Sequence, residues 1–205
     1  MEPDYGWAQR DDWASAWQPA IDAIGRDFGE GGDFGEGGGV AGREALDDIE
    51  RGQVRRYLEP LEFDCPLYHD EEVARAHGHP GILAPYSGLA TWTSSGVWMP
   101  GEEPVYTDDD RDAQPRLRPG SRYPFIGPDI DAGFATDLTY TYERPFRVGD
   151  RLSMRGPVLV EVTPKETKVG RGAFMTWESR VHDQNGDLVA TVRMGTYRYV
   201  AREGA

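Results

Sequence analysis

Arg116, Arg118 and Arg122 stand close together in the chain, and their planar guanidinium forks match the oxygens of a phosphate. The acidic run Asp108-Asp109-Asp110 lies nearby and offers the same arginines internal partners, so phosphate binding and self-pairing are both open. Trp92, Trp98 and Met99 can line a wide apolar pocket, because ligand sites favour aromatic walls; core packing is an equal use for them. His77 and His79 are two positions apart with no third ligand close by, which is too little for a metal ion, and no metal is expected. Cys65 is the single cysteine. With no evident base beside it, it reads as a small buried side chain rather than a nucleophile, and it cannot form an internal disulfide.

A tandem hexapeptide, Asp27-Phe28-Gly29-Glu30-Gly31-Gly32 and then Asp33-Phe34-Gly35-Glu36-Gly37-Gly38, has the glycine content of a phosphate-cradling loop. No strand precedes it, no Lys-Ser/Thr follows, and its glutamates repel phosphate, so it reads as a flexible linker.

The elements that must position these groups come in two kinds. Trp13, Trp17, Ile21 and Ile24 recur at helical spacing, broken by Pro19, and this stripe is expected to dock on the same subunit or on a partner. Residues Glu44 to Leu61 read as a helix stopped by Pro60, and Asp70 to His77 as a short one. The small, apolar stretch Ile82 to Trp98 suits a helix buried on most sides. A long Pro/Gly/Asp/Arg-rich loop covers about residues 99–133, a length usually tied to function. Beyond it, strands are expected at Thr136–Tyr142, Arg151–Arg155, Val158–Thr163, Ala173–His182 and Leu188–Tyr199, punctuated by Val148-Gly149-Asp150 and by the hairpin marker Asn185-Gly186-Asp187. Helices followed by an antiparallel meander make an α+β chain, one sheet with a long helix on a face. Residues 1–40 form an N-terminal extension with its linker, and residues 41–205 the domain proper.

The chain has 205 residues, with 22 basic against 36 acidic side chains and a formal charge of −14. Nucleic acid is therefore an unsuitable partner, since its binding rests on positive charge. No apolar run is long enough to cross a membrane, and the first residues lack a signal-peptide pattern, which points to the cytoplasm.

Two blocks resemble a known family. The first holds Ile49-Glu50-Arg51-Gly52-Gln53-Val54-Arg55-Arg56-Tyr57, then Cys65-Pro66-Leu67-Tyr68-His69-Asp70-Glu71-Glu72, then Gly81-Ile82-Leu83-Ala84-Pro85. The second holds Arg144-Pro145-Phe146-Arg147-Val148-Gly149-Asp150-Arg151-Leu152, then Gln184-Asn185-Gly186-Asp187-Leu188-Val189-Ala190. In order and spacing they are similar to the MaoC-like hot-dog dehydratases, in the branch whose N-terminal domain is called FAS1-like, over roughly residues 40–200. The resemblance implies a hot-dog fold, an antiparallel sheet wrapped around a long central helix. It implies hydration of an α,β-unsaturated acyl thioester on coenzyme A or a carrier protein, with no other cofactor. It also places Gly81 and Ile82 at the start of the central helix, where backbone N–H groups hold the thioester oxygen, and directs Arg116 and Arg118 to the phosphates of coenzyme A.

Catalytic members of that family carry Asp-x-Asn-Pro-Leu/Ile-His. Aligned on Pro66-Leu67, this chain has Phe63 for the Asp, Cys65 for the Asn and Tyr68 for the His. A phenol with an ordinary pKa near 10 is a poor base at neutral pH. Asp64 and His69, each one position further on, keep the family spacing and provide an alternative dyad. The altered motif implies a subunit that shapes the acyl pocket while a second MaoC-like subunit supplies the intact Asp and His; failing that, a homodimer is expected. Heteromers of this design act on bulky acyl groups such as steroid side-chain thioesters. The rival readings are an autonomous hydratase or thioesterase using Asp64 and His69, and an acyl-thioester-binding protein without chemistry.

Overall fold

A computed structural model of the chain describes residues 3–29, 43–96, 98–106, 109, 112–113 and 126–202. Most of the tandem glycine-rich repeat and the three loop arginines Arg116, Arg118 and Arg122 lie outside the described residues.

The strands are β1 (Arg43–Glu44), β2 (Leu83–Ala84), β3 (Ala132–Tyr142), β4 (Phe146–Arg147), β5 (Ser153–Glu166), β6 (Gly170–His182) and β7 (Leu188–Ala201). Five of them make one antiparallel sheet in the order β1-β5-β6-β7-β3, and β2 pairs with β4 apart from it. The two strands expected at Arg151–Arg155 and Val158–Thr163 are one strand, β5, whose register shifts between Arg155 and Val158. At that bulge Gly156 has φ +94°, and a Cβ there would lie 2.9 Å from the Glu178 carbonyl oxygen, so only glycine fits. The Asn185-Gly186-Asp187 marker forms the hairpin between β6 and β7.

Side chains alternate across a strand, and the paired register puts Ala173, Met175, Trp177 and Val181 of β6 on one face with Ala190, Val192 and Val200 of β7. Both buried clusters lie on this inner face. One joins Val181, Ala190 and Val192 to Val54, Leu58 and Trp92. The other joins Met175, Trp177 and Val200 to Trp7, Trp17 and Phe28 of the N-terminal segment.

The helices are short: α1 (Gln18–Asp22), α2 (Arg51–Leu58), α3 (Glu71–Ala76) and α4 (Leu89–Trp92). The Trp13–Ile24 stripe divides into a 3-10 turn, Trp13–Trp17, and α1, with Pro19 in the first turn of α1. The helix expected from Glu44 begins only at Arg51, because residues 45 and 49 donate their backbone N–H groups to Leu152 and Asp150 rather than to a helical turn. Glu50 and Gln53 close its start as a capping box.

The long central helix expected over Ile82 to Trp98 is the main correction. Pro85 disfavours helical backbone at the residue before it, so Leu83 and Ala84 pair with β4 instead. Helical structure starts after Pro85, as a 3-10 turn at Tyr86–Gly88 and then α4. Thr93 ends it, its hydroxyl bonding back to the Leu89 carbonyl at 2.9 Å, and Gly96 turns the chain at φ +74°.

The Arg144–Asp150 block is a scaffold. Arg144 Nη1 donates to Asp150 Oδ2 and Nη2 to Asp183 Oδ2, both at 2.7 Å. Asp183 Oδ1 also accepts from the N–H groups of Asn185 and Asp187, at 2.8 and 3.1 Å. Burial opposes ionisation of Asp183, but the Arg144 fork and these N–H donors outweigh it and hold the carboxyl below the usual aspartate range. A depressed carboxyl stabilises the fold fully above the unfolded-state value, about 3.9, and the contribution is lost as pH falls through the lower folded value. Asp183→Asn should therefore lower the melting temperature most at neutral pH and converge on the parent in strong acid. A difference independent of pH between about 7 and 2.5 would contradict this assignment.

Candidate functional site

The turn between α2 and α3 carries the altered motif. Pro60 starts a 3-10 turn, Glu59–Leu61, as α2 ends. Glu62 then takes a left-handed conformation at φ +49°, and a second 3-10 turn, Pro66–Tyr68, follows. Asp70 is spent as the N-cap of α3, accepting from the N–H groups of Glu72 and Val73 at 2.8 and 3.2 Å.

Phe63 and Tyr68, two residues of the altered motif, have ring centroids 5.7 Å apart. The two side chains thus meet in space as a tilted aromatic pair. Asp64 and His69 do not replace them. Asp64 is exposed, between the two 3-10 turns. His69 Nε2 donates to the Phe63 carbonyl oxygen at 2.9 Å, which assigns the ring proton to Nε2, since a carbonyl only accepts. No hydrogen bond joins Asp64 to His69.

Tyr68 is half-buried, and burial, with smaller effects from Cys65 and Tyr86, pushes its phenol pKa above 10.0. At neutral pH it is a protonated donor and not a base. Tyr142, in β3, is raised likewise, first by burial and then by Tyr140, Tyr86 and Tyr57. The Tyr86 and Tyr142 rings pack tilted at 4.2 Å between centroids, and the Tyr142 hydroxyl donates to the Tyr86 carbonyl at 3.3 Å.

From these tyrosines an apolar strip runs along the open edge of the inner face. The register sets Leu138 and Tyr140 of β3 beside Met194 and Val192 of β7, and Leu138 and Tyr140 are 52% and 41% exposed. Further along, a cleft of about 430 Å3 is lined by Ile130, Asp131, Ala135, Thr196 and Arg198 among others. Burial lowers the pKa of the Arg198 guanidinium. A larger cleft of about 660 Å3, by β1 and the β6–β7 hairpin, is walled by charges of both signs: Glu44, Asp48, Arg151 and Arg155. Arg151 is already held by Asp48 at 2.7 Å, so this cleft suits solvent better than an acyl group. The period-two run Leu138-Thr139-Tyr140-Thr141-Tyr142 was the available sequence signal for the strip, but which face is open depends on the fold.

The other expected site residues are placed as follows. Gly81 and Ile82 precede β2 rather than a helix, and the Ile82 carbonyl accepts from Val148 N–H at 2.9 Å, so the first helical N–H groups belong to the turn after Pro85. Trp92 is core: it is buried, its Nε1 donates to the Pro85 carbonyl at 2.8 Å, and its ring lies 5.4 Å from Tyr57. A Cβ on Gly88 would meet that ring at 2.5 Å. Trp98 is exposed and donates to the Glu102 carbonyl at 3.0 Å, closing its own turn rather than lining a pocket. Among the described residues no three His, Cys, Asp or Glu side chains converge to hold a metal ion, and no helix is long and apolar enough to cross a membrane.

Residues 39–192 match the family model described as FAS1-like, dehydratase domain region. The chain is 27% identical over 161 residues to a probable enoyl-CoA hydratase alpha subunit of Thermomonospora curvata, covering 77% of this chain and 47% of that protein. It is 30% identical over 139 residues to the 3-oxo-4,17-pregnadiene-20-carboxyl-CoA hydratase alpha subunit of Mycobacterium tuberculosis, covering 65% of this chain and 39% of that protein. The chain thus spans less than half the length of these curated relatives. Among solved structures, a chain of the ChsH1-ChsH2 complex from Mycobacterium tuberculosis superposes with a TM-score of 0.56 at 22% identity, over 78% of this chain and 84% of that one. The fold is the hot-dog fold.

Proposed function

Since this chain belongs to the FAS1-like dehydratase-domain family, we propose that it is the acyl-accommodating subunit of a heteromeric enoyl-thioester hydratase. The observation that carries the reading is the Phe63–Tyr68 pair, two rings 5.7 Å apart, which the motif alignment sets against the family's catalytic Asp and His. Neither ring takes a proton from water at neutral pH, so the base comes from elsewhere. The apolar strip beside the pair suits an acyl group, and among the described residues no strand pairs with the outer edge of β3, whose central residues are exposed. That edge suits a second hot-dog subunit carrying Asp-x-Asn-Pro-Leu/Ile-His. The names of both curated relatives, which designate alpha subunits, support a multi-subunit enzyme.

In this scheme the partner's base takes a proton from water, the oxygen adds to the β-carbon of the enoyl thioester, and a proton is delivered to the α-carbon. This chain contributes apolar burial of the acyl group and the protonated phenols of Tyr68 and Tyr142. The acyl group arrives on coenzyme A or a carrier protein, and the reaction proceeds in the cytoplasm with no other cofactor.

The test is hydration of crotonyl-CoA and of a bulky enoyl-CoA, followed by loss of the conjugated-thioester absorbance. Silence of the chain alone and turnover with an intact-motif partner are expected; turnover by the chain alone overturns the proposal. Leu138→Arg, which sets a charge in the middle of the open edge, should abolish co-purification of the partner while leaving the melting temperature nearly unchanged, as Leu138 is 52% exposed. Unimpaired co-purification would move the interface off β3.

A further inference from the structure

Register shows that the inner face of the sheet is covered by two separate pieces of chain. The α2 and α4 side chains cover the half around Val181, Ala190 and Val192. α4 has only four residues and leaves the half around Ala173, Met175 and Trp177 to the N-terminal segment, whose Trp7, Trp17 and Phe28 are buried against it.

That segment is fastened across the sheet rather than draped on it. At one end Gly25 N–H donates to the Leu159 carbonyl at 2.8 Å and Phe28 N–H to the Pro157 carbonyl at 2.9 Å, both on β5. In the middle Arg171 Nη1 of β6 donates to the Ala8 carbonyl at 3.0 Å. At the other end Asp4 N–H donates to Asp129 Oδ2 at 2.8 Å, and Trp7 Nε1 to the Asp129 carbonyl at 2.7 Å. Asp129 lies just ahead of β3, so the strap spans the order β5-β6-β7-β3.

Its last anchor touches the candidate acyl site. Ile130, adjacent to Asp129, packs against the strap's cluster and, with Asp131, lines the cleft of about 430 Å3 that also contains Thr196 and Arg198. We propose that residues 3–28 supply the helical cover that the short α4 leaves out, and that Trp7, by holding Asp129 and Ile130, sets the length of acyl group the inner face admits. This rests on the reading that the strip and cleft receive an acyl thioester.

Trp7→Ala removes the ring and the donor behind the wall. Trp7→Phe keeps a ring and removes only the donor and some volume. The probes are butyryl-CoA, octanoyl-CoA and palmitoyl-CoA, titrated calorimetrically against the full chain, alone and with an intact-motif partner. Trp7→Ala should raise the affinity for palmitoyl-CoA relative to butyryl-CoA by about ten-fold, the effect of admitting one or two more methylenes, and Trp7→Phe should shift it less in the same direction. If Trp7→Ala does not fold, the shift in Trp7→Phe decides. An unchanged chain-length ratio in a cooperatively melting variant overturns the proposal. If the parent binds no acyl-CoA in either form, the functional reading fails instead. The strap is then judged by 1-anilinonaphthalene-8-sulfonate: new dye binding by a folded Trp7 variant supports the wall, and none overturns it.

Discussion

Arg144→Leu should lower the unfolding free energy by about 3 kcal/mol in urea titration at neutral pH, toward the lower end of the 3–5 kcal/mol typical of a broken buried ion pair. The lower end applies because the Arg144 side chain is 30% exposed while Asp150 is 0% exposed. The arginine is shared, one nitrogen to Asp150 and the other to Asp183, each at 2.7 Å. Without it both carboxylates lose their principal counter-charge inside the fold, and Asp150 keeps only the Arg147 N–H at 3.1 Å and the Arg147 guanidinium at 3.3 Å. Arg144→Lys should fall between parent and leucine, since a point charge cannot serve two carboxylates as a fork does. Arg55→Ala, which removes an exposed helix pair with Glu59, should change little. A loss under about 1 kcal/mol for Arg144→Leu would mean that the cluster is neutral to stability.

On the proposed heteromeric reading, replacing the motif Asp of an intact-motif partner by Asn or its His by Ala should cut turnover of the pair by about 10²–10⁴-fold, the usual contribution of a positioned acid or base. The matching changes in this chain, Asp64→Asn and His69→Ala, should leave turnover within about two-fold. The asymmetry follows from the turn: the His69 ring is committed to the Phe63 carbonyl at 2.9 Å and makes no bond to Asp64. A large loss with His69→Ala but none with the partner's His would assign the chemistry to this chain and reverse the division of labour. Tyr68→Phe separates a third case, in which the raised phenol donates a hydrogen bond that the reaction needs. That variant should affect turnover without affecting subunit pairing.

Much of the fold was legible in local sequence. The β6 and β7 strands and their Asn185-Gly186-Asp187 hairpin follow from period-two patterning and turn chemistry, and both are found where that patterning ends. The alteration of the motif was legible too, because Phe63 cannot ionise whatever surrounds it, while the burial that raises the Tyr68 phenol came only from the fold. The central helix was misjudged. Composition between Ile82 and Trp98 favours helix, but Pro85 and the pairing of Leu83 and Ala84 with β4 take precedence, and a pairing partner more than sixty residues away leaves no trace in a local window.

The β6–β7 hairpin, the acidic net charge and the altered motif were determined by the sequence alone, because each depends on a residue's own chemistry and its near neighbours. The tertiary structure decided which half of the inner face each segment covers, that Trp92 is core while Trp98 is exposed, and that Trp7 reaches Asp129. Those outcomes depend on contacts between residues distant in sequence, such as Trp7 with Asp129, where burial and register decide among several locally acceptable placements.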